Sequence, residues 1–393
     1  VNADSCVLVA GGGPVGLVAA LALAESGVPV RLFEAEPDIA EDLRASTFHP
    51  PTLDMLERFG ITAELLAHGL VCPSWQVRMH PSGERVVFDL SMLAGDTRHP
   101  YRLQCEQWKL ARAALARLRA HPNAEVAFGA RVERVTQDEQ GVAVEAGGTR
   151  ATGRFLVAAD GARSTIRTAL GIGFEGSTYP ETTLLCATTF PFHDHLEGLS
   201  HVNYCWKDGG TFSLLRLPGL WRCSFYPRPG ESVEDALADE ALRAQLGEIV
   251  PDAAAAPILA RRPYRIHRRI AARYRDGRVF LAGDAAHLNS PSGGMGMNGG
   301  VHDALNLADK LARVWRGEPA ALLDRYEPER RPIALAEIIA QADANRARMQ
   351  ERDPARRREI LTGLQAIAAD PVRCREHLLR TSMIAGLRRA AAG

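Results

Sequence analysis

Four apolar residues, Cys6-Val7-Leu8-Val9, form the first patterned stretch. A glycine cluster separates them from an Ala- and Leu-rich run, Val15 to Ser26, which stops at Gly27. A second apolar run, Val28 to Phe33, follows. Strand, glycine turn, helix and strand in this order predict a β-α-β unit on a parallel sheet. The 19 residues from Cys6 to Ala24 carry no charge, which is long enough on paper for a membrane helix. However, no basic residue precedes them and Gly11-Gly12-Gly13-Pro14 breaks the run. Neither a signal segment nor a membrane span is therefore expected.

Further along, Trp75–His80 and Glu84–Asp89 alternate at period two around Pro81-Ser82-Gly83, which predicts a hairpin. Gln104 to Arg119 has helical periodicity, with Trp108, Ala111, Leu115 and Leu118 on one side. Three short runs, 131–136, 141–146 and 149–153, predict an antiparallel meander. Phe155 to Ala159 and Val279 to Ala282 predict buried strands. Between about Tyr179 and Arg275 the chain turns strand-like and aromatic, and from Gly300 onward it is almost wholly helical. One domain interrupted by insertions accounts for this order. The expected division is 1–72, 97–178 and 272–333 for a nucleotide-binding domain, 73–96 and 179–271 for a β-sheet domain, and 334–393 for a helical region.

Composition narrows the class. Apolar residues make up 46% and charged ones 24%, an ordinary globular balance that excludes a disordered chain. Basic and acidic residues balance at 47 each, so no global field favours nucleic acid or an anionic membrane. The seven cysteines are an odd number without a C-x-x-C pair. This pattern points to a reducing cytoplasm and away from a zinc site or a redox dithiol.

The turn at 11–16 reads Gly-Gly-Gly-Pro-Val-Gly, a G-x-G-x-x-G motif that follows a strand and opens a helix, with Glu34 ending the next strand. That context is what the motif needs: glycines admit a pyrophosphate to the helix N-terminus, and the carboxylate accepts hydrogen bonds from a ribose. A carboxylate there favours a free 2′-hydroxyl, hence FAD or NAD. A second formal match at Gly171–Gly176 follows a helix and is rejected. Two other strands end in aspartates, Asp160-Gly161 and Gly283-Asp284, and the second leads into Pro291-Ser292-Gly293-Gly294-Met295-Gly296-Met297-Asn298. Aspartates at the carboxyl ends of strands can hold a polyol, and a glycine-rich helix start can face a ring edge that becomes anionic on reduction.

As a set, these motifs resemble the single-component FAD-dependent aromatic hydroxylases, the para-hydroxybenzoate hydroxylase-like monooxygenases, from residue 7 to about 330. The resemblance implies an α/β fold in which a Rossmann-like FAD-binding domain of the glutathione-reductase type is interrupted by a mostly β substrate domain and followed by C-terminal helices. It implies tightly bound FAD, NADH or NADPH as a transient co-substrate, and O2. An oxygen atom would pass from a C4a-hydroperoxyflavin to a phenolic or heteroaromatic small molecule. The FAD-contacting positions it implies are Gly11, Gly13, Pro14, Val15, Gly16, Glu34, Ala35, Arg44, Gln104, Val132, Asp160, Gly161, Gly283, Asp284, Pro291, Gly294, Met295, Gly296, Met297 and Asn298. No metal is expected.

The substrate end is thinner. His49, Arg216, Tyr226 and His201 are the pocket-lining candidates, with Tyr204 a further hydroxyl that can polarise a phenol. Each is also readable as a capping, surface or core residue. Rival functions on the same scaffold are an epoxidase, a reductase or a non-catalytic flavin-binding protein. A halogenase is disfavoured because none of the three lysines, Lys109, Lys207 and Lys310, lies in a Trp-x-Trp-x-Ile-Pro context. An apolar stripe at Leu378, Leu379, Met383, Ile384 and Leu387 fits packing onto the chain's own body or a homodimer interface.

Overall fold

The computed structural model describes residues 6–43 and 45–392. At its centre a six-stranded sheet runs in the order Arg275–Asp276, Val279–Leu281, Phe155–Ala158, Val7–Ala10, Val30–Phe33, Ala124–Ala127. All pairings are parallel except the edge pair formed by Arg275–Asp276. The Val7–Ala10 strand is fully buried, as expected of a parallel strand covered on both faces. The helix Pro14–Glu25 is apolar on every side and buried from Gly16 to Ala24, a pattern that requires cover all round. It packs against the helices Gln107–Ala120 and Gly296–Trp315.

The meander forms as a three-stranded sheet of Val132–Gln137, Val142–Ala146 and Thr149–Gly153. The segment that reads as helical from Gln104 divides differently. Arg102–Gln104 pairs as a strand with Thr47–Phe48 and Leu70–Cys72, and the helix starts only at Gln107.

An eight-stranded sheet forms the second body, built around the antiparallel pair Phe174–Thr188 and Ile258–Ala271. The hairpin Ser74–Met79 with Arg85–Asp89 closes its far edge, Trp75 opposite Phe88 and Val77 opposite Val86. The 178/179 division falls inside the 15-residue strand Phe174–Thr188, which pairs with Ile258–Ala271 in the eight-stranded sheet on both sides of that point. Gly176, at φ +135°, lies within it because a Cβ there would stand 1.9 Å from the Arg268 carbonyl oxygen. Sheet packing thereby explains Gly176, the last glycine of the 171–176 repeat.

The two faces of this sheet have separate cover. One packs on the helix Asp239–Gly247 through Leu184, Cys205, Leu214, Trp221 and Phe225. The other, presenting Trp75, Val77, Val202, Tyr204 and Trp206, is covered by Met349, Leu361, Leu364 and Leu378 from the C-terminal helices. Leu378 and Ile384 of the apolar stripe are thus buried within the chain's own fold. All seven cysteines are buried free thiols. Among the described residues no helix is long and apolar enough to cross a membrane, and no cluster of His, Cys, Asp or Glu could hold a metal ion.

Candidate active site

The glycine turn leaves a cradle at the sheet's carboxyl edge. Gly11 has φ +106°, and a Cβ on it would stand 2.2 Å from the Ala159 oxygen; one on Gly16 would stand 2.0 Å from the Gly11 oxygen. Both positions are closed to larger residues. By contrast, a Cβ on Gly13 would meet nothing within 4 Å, and Gly13, Pro14 and Val15 line a cavity of about 380 Å³. The helix beginning at Pro14 has no side-chain cap, so its first N–H groups are left for an anion in that space. Glu34 accepts hydrogen bonds from the N–H groups of Gly12 and Glu36.

Asp160 closes the next strand. One carboxylate oxygen accepts from the Ile166 N–H at 3.2 Å, while Oδ1 is buried without a partner. Burial raises its pKa against the hydrogen bonds it receives. Asp284 is exposed in the cavity wall, in the one-turn helix Gly283–Ala285. An unfilled anion cradle, an orphaned buried carboxylate oxygen and a second carboxylate in the wall together fit FAD.

The loop 291–297 forms the wall opposite. Asn298 does not face the cavity. Its Nδ2 donates to the carbonyls of Thr47 (2.8 Å) and Gly294 (2.7 Å), and its Oδ1 accepts from the His49 N–H (2.9 Å). It is a clamp that shapes the loop. His49 is likewise no wall residue: it is fully buried, and Nε2 lies 2.8 Å from the Gly293 carbonyl. A carbonyl only accepts, so Nε2 carries the proton. Burial, reinforced by Arg102, holds the His49 pKa well below its ordinary value. Gln104 is fully buried and bonded to Ser46 (3.1 Å) and Thr47 (2.9 Å), and it is Ser46, Thr47 and Gln107 that reach the cavity. Val132 is packed in the core at 6% exposure, and Glu34, Ala35 and Gly283 also lie off the cavity wall. Arg44 lies outside the described residues.

Beneath the Gly283 turn lies a polar knot that pattern reading missed. Asp303, on the helix Gly296–Trp315, bonds His287 Nε2 (2.8 Å), Arg330 Nε (2.7 Å) and the Gly283 N–H (3.2 Å). Burial opposes ionisation of Asp303, yet Arg330 and His287 hold its pKa down to about 2. The knot fixes the turn that presents Asp284.

The same cavity continues onto the eight-stranded sheet, where Tyr204, Ser213, Leu215, Arg222, Ser224, Tyr226 and Tyr264 face it. Of the four substrate-end candidates, Tyr226 alone lines the cavity. Arg216 and His201 do not, and the reason is strand alternation: Leu215 points to the cavity, so Arg216 points to the opposite face. There it meets His193 (3.1 Å) and His201 (3.5 Å) and stacks near Trp221. His201 bonds the Val71 carbonyl at 3.0 Å. Sequence reading also missed Met349, which enters the cavity from the helix Ala340–Gln350.

A cofactor cradle and a chamber lined by three tyrosines share one cavity, as the FAD-dependent monooxygenase reading requires. The chain belongs to the family described as an FAD binding domain, whose profile matches residues 4–340, and within it to the FAD-dependent aromatic monooxygenases. It is 38% identical to para-nitrophenol 4-monooxygenase of Pseudomonas sp. (strain WBC-3), over 97% of this chain and 96% of that one. It is 33% identical to 6-hydroxy-3-succinoylpyridine 3-monooxygenase of Pseudomonas putida (strain DSM 28022 / S16), over 95% and 96%. The crystal structure of p-nitrophenol 4-monooxygenase from Pseudomonas putida DLL-E4 superposes with a TM-score of 0.90 at 34% identity, covering 98% of both chains.

Proposed function

We propose that this enzyme hydroxylates a single phenolic or hydroxylated heteroaromatic ring, using NADH or NADPH as electron donor and O2 as oxidant. The observation that carries the reading is the continuity of one 380 Å³ cavity from the Gly13 cradle to Tyr204 and Tyr226. The named substrates of the relatives above, a nitrophenol and a hydroxypyridine, agree with it.

Bound FAD supplies the two-electron reduction and activation of O2. The chain's residues supply the rest. Gly13 to Val15 would receive the pyrophosphate, and Asp160 and Asp284 would hold hydroxyls of the cofactor. The 291–297 loop, held by Asn298 and His49, would flank the ring system. Leu215 and Met349 exclude water from the ring being oxidised, which protects a reactive oxygen donor from hydrolysis. Burial raises the Tyr226 pKa, so its hydroxyl acts as a hydrogen-bond donor to a ring oxygen rather than as a base.

The test is NADH and NADPH oxidation by FAD-loaded protein across phenols, hydroxybenzoates and hydroxypyridines, with H2O2 followed in parallel. A ring that speeds oxidation and yields a product heavier by one oxygen, with little H2O2, supports the reading. Bound FAD with no ring-dependent oxidation in any class sinks it.

A further inference from the structure

Behind the substrate wall lie two arginines with no acid to balance them. Arg102 is 3% exposed, and its Nε and Nη1 are buried without a hydrogen-bond partner; Nη2 donates to the Thr381 carbonyl at 3.3 Å, and the guanidinium interacts with the Tyr204 side chain. Its guanidinium stands 5.2 Å from the centre of the Trp75 ring. Arg348 comes from the opposite side, on the helix Ala340–Gln350. Its Nη2 donates to Asn345 (2.8 Å), while its buried Nε has no partner. Among the described residues no carboxylate pairs with either arginine. Tyr204 interacts electrostatically with both guanidiniums and lines the cavity.

Nearby groups do not substitute for an anion. His377, 6.0 Å from the Trp75 ring, also has an orphaned buried Nε2. Burial, with Arg348, Arg380 and Arg102, lowers its pKa to about 4, so it adds no charge at neutral pH but also offers none of the needed sign. Burial pushes the Cys72 thiol up to about 12, so no thiolate forms beside Arg102. Buried charges in folded proteins are paired or liganded, and buried Arg102 together with half-buried Arg348, with three orphaned donor nitrogens between them, makes a site short of its anion. The cavity itself contains one carboxylate among its described lining residues, Asp284 at the cofactor end, and no histidine. Nothing at the ring end can therefore generate an anion by carboxylate or imidazole base chemistry; it has to arrive or be stabilised as one.

We propose that the ring substrate carries an oxyanion, a phenolate or a carboxylate, which Tyr204 meets in the cavity and which Arg102 and Arg348 balance from behind it. This inference rests on the hydroxylase reading, and it assigns the two arginines as positioning residues that act through Tyr204. It makes the enzyme selective for charged rings over neutral ones of equal shape.

The test is binding of matched ligands to FAD-loaded protein by titration calorimetry, with no turnover needed. One pair is 4-nitrophenol against 4-nitroanisole above the phenol's own ionisation; the other is benzoate against benzamide. The expected result is at least tenfold tighter binding of the charged member in one pair, a ratio reduced at least fivefold in both R102Q and R348Q, and partly kept in R102K. Response in the first pair alone assigns a phenolate, and in the second alone a carboxylate on the ring. Equal affinity for charged and neutral members, or loss of both in parallel in the variants, overturns the proposal by returning the arginines to packing. If R102Q does not hold FAD, R348Q decides by the same ratio. Charge selectivity without any hydroxylation would sink the hydroxylase reading and leave the anion site standing.

Discussion

The molecule holds two sets of buried charges that are built on opposite plans. At the cofactor end, Arg330 is 1% exposed and is answered by Asp303, which also holds His287 and the Gly283 turn. At the substrate end, Arg102 is almost as buried and is answered by no carboxylate. The first arrangement is self-contained and fixes a shape. The second is incomplete until something else supplies the negative charge. The contrast separates a scaffold from a binding site without reference to any ligand.

The contrast is broken most directly at Asp303. Replacing Asp303 with Ala strands Arg330 as a buried charge and frees the Gly283 turn. Removing one partner of a buried pair costs about 3–5 kcal/mol, so D303A should show that loss in chemical denaturation and should also weaken FAD retention. A loss below about 1 kcal/mol would show that the knot is not a closed unit.

Acid sharpens the comparison next. Burial, with Arg330, lowers the His302 pKa to about 3, and the His377 pKa is lowered to about 4. Unfolded, both would titrate near 6.5. A histidine kept neutral in the fold is at its full contribution above 6.5; as pH falls below that, the unfolded chain takes up protons that the folded chain refuses. Each should therefore cost about 2 kcal/mol by pH 5, and the loss continues down to the folded values. Denaturation midpoints at pH 7 and pH 5 check this. Replacing His377 with Gln should flatten part of the slope, while a pH-independent midpoint in the parent would contradict it.

Much of the framework is legible in local pattern. The β-α-β unit, the hairpin and the meander each sit within a few tens of residues, and their glycines and period-two runs mark them directly. The Gly13 cradle and the two strand-end aspartates are legible for the same reason, since the motif and its supporting strands are nearly contiguous. What is not legible is set by long-range contact. Helical periodicity counted from Gln104 hides a strand that exists only because 47–48 and 70–72 flank it. Asn298 and His49 carry the right residue types for a site, but their hydrogen bonds run to one another and to the loop. Arg216 and His201 failed on parity: a strand of alternating residues does not reveal which face turns to the cavity. Arg102, Arg348 and Asp303 leave no local signal at all, because their meaning lies in a partner, or the lack of one, far along the chain.

A smaller effect is expected where the second plan is erased. In R102M an apolar chain of similar length replaces a buried cation that has no counterion. Removing an uncompensated charge relieves a desolvation cost, against the loss of one hydrogen bond to the Thr381 carbonyl and the stacking on Trp75. The two should nearly cancel, leaving ligand-free stability within about 1 kcal/mol of the parent, far from the D303A loss. A loss of the D303A size would mean that Arg102 has a hidden partner and that the two regions are alike.

The smallest effect belongs to the far face of the substrate sheet. Arg216 pairs with His193 and His201 and stacks near Trp221, and no part of it lines the cavity. Replacing it with Ala removes a half-buried to exposed cluster worth little in stability and should leave the affinity for charged ring ligands within about twofold, since a cation in contact with solvent on the far face is screened over distances on the order of 10 Å. The same titration that separates R102Q from the parent reads this directly. If R216A instead reproduced the R102Q loss of charge selectivity, the anion would be held by the general positive field of the sheet rather than by Arg102 and Arg348 behind Tyr204. Equal behaviour of the two variants would therefore remove the distinction between a built site and a charged surface.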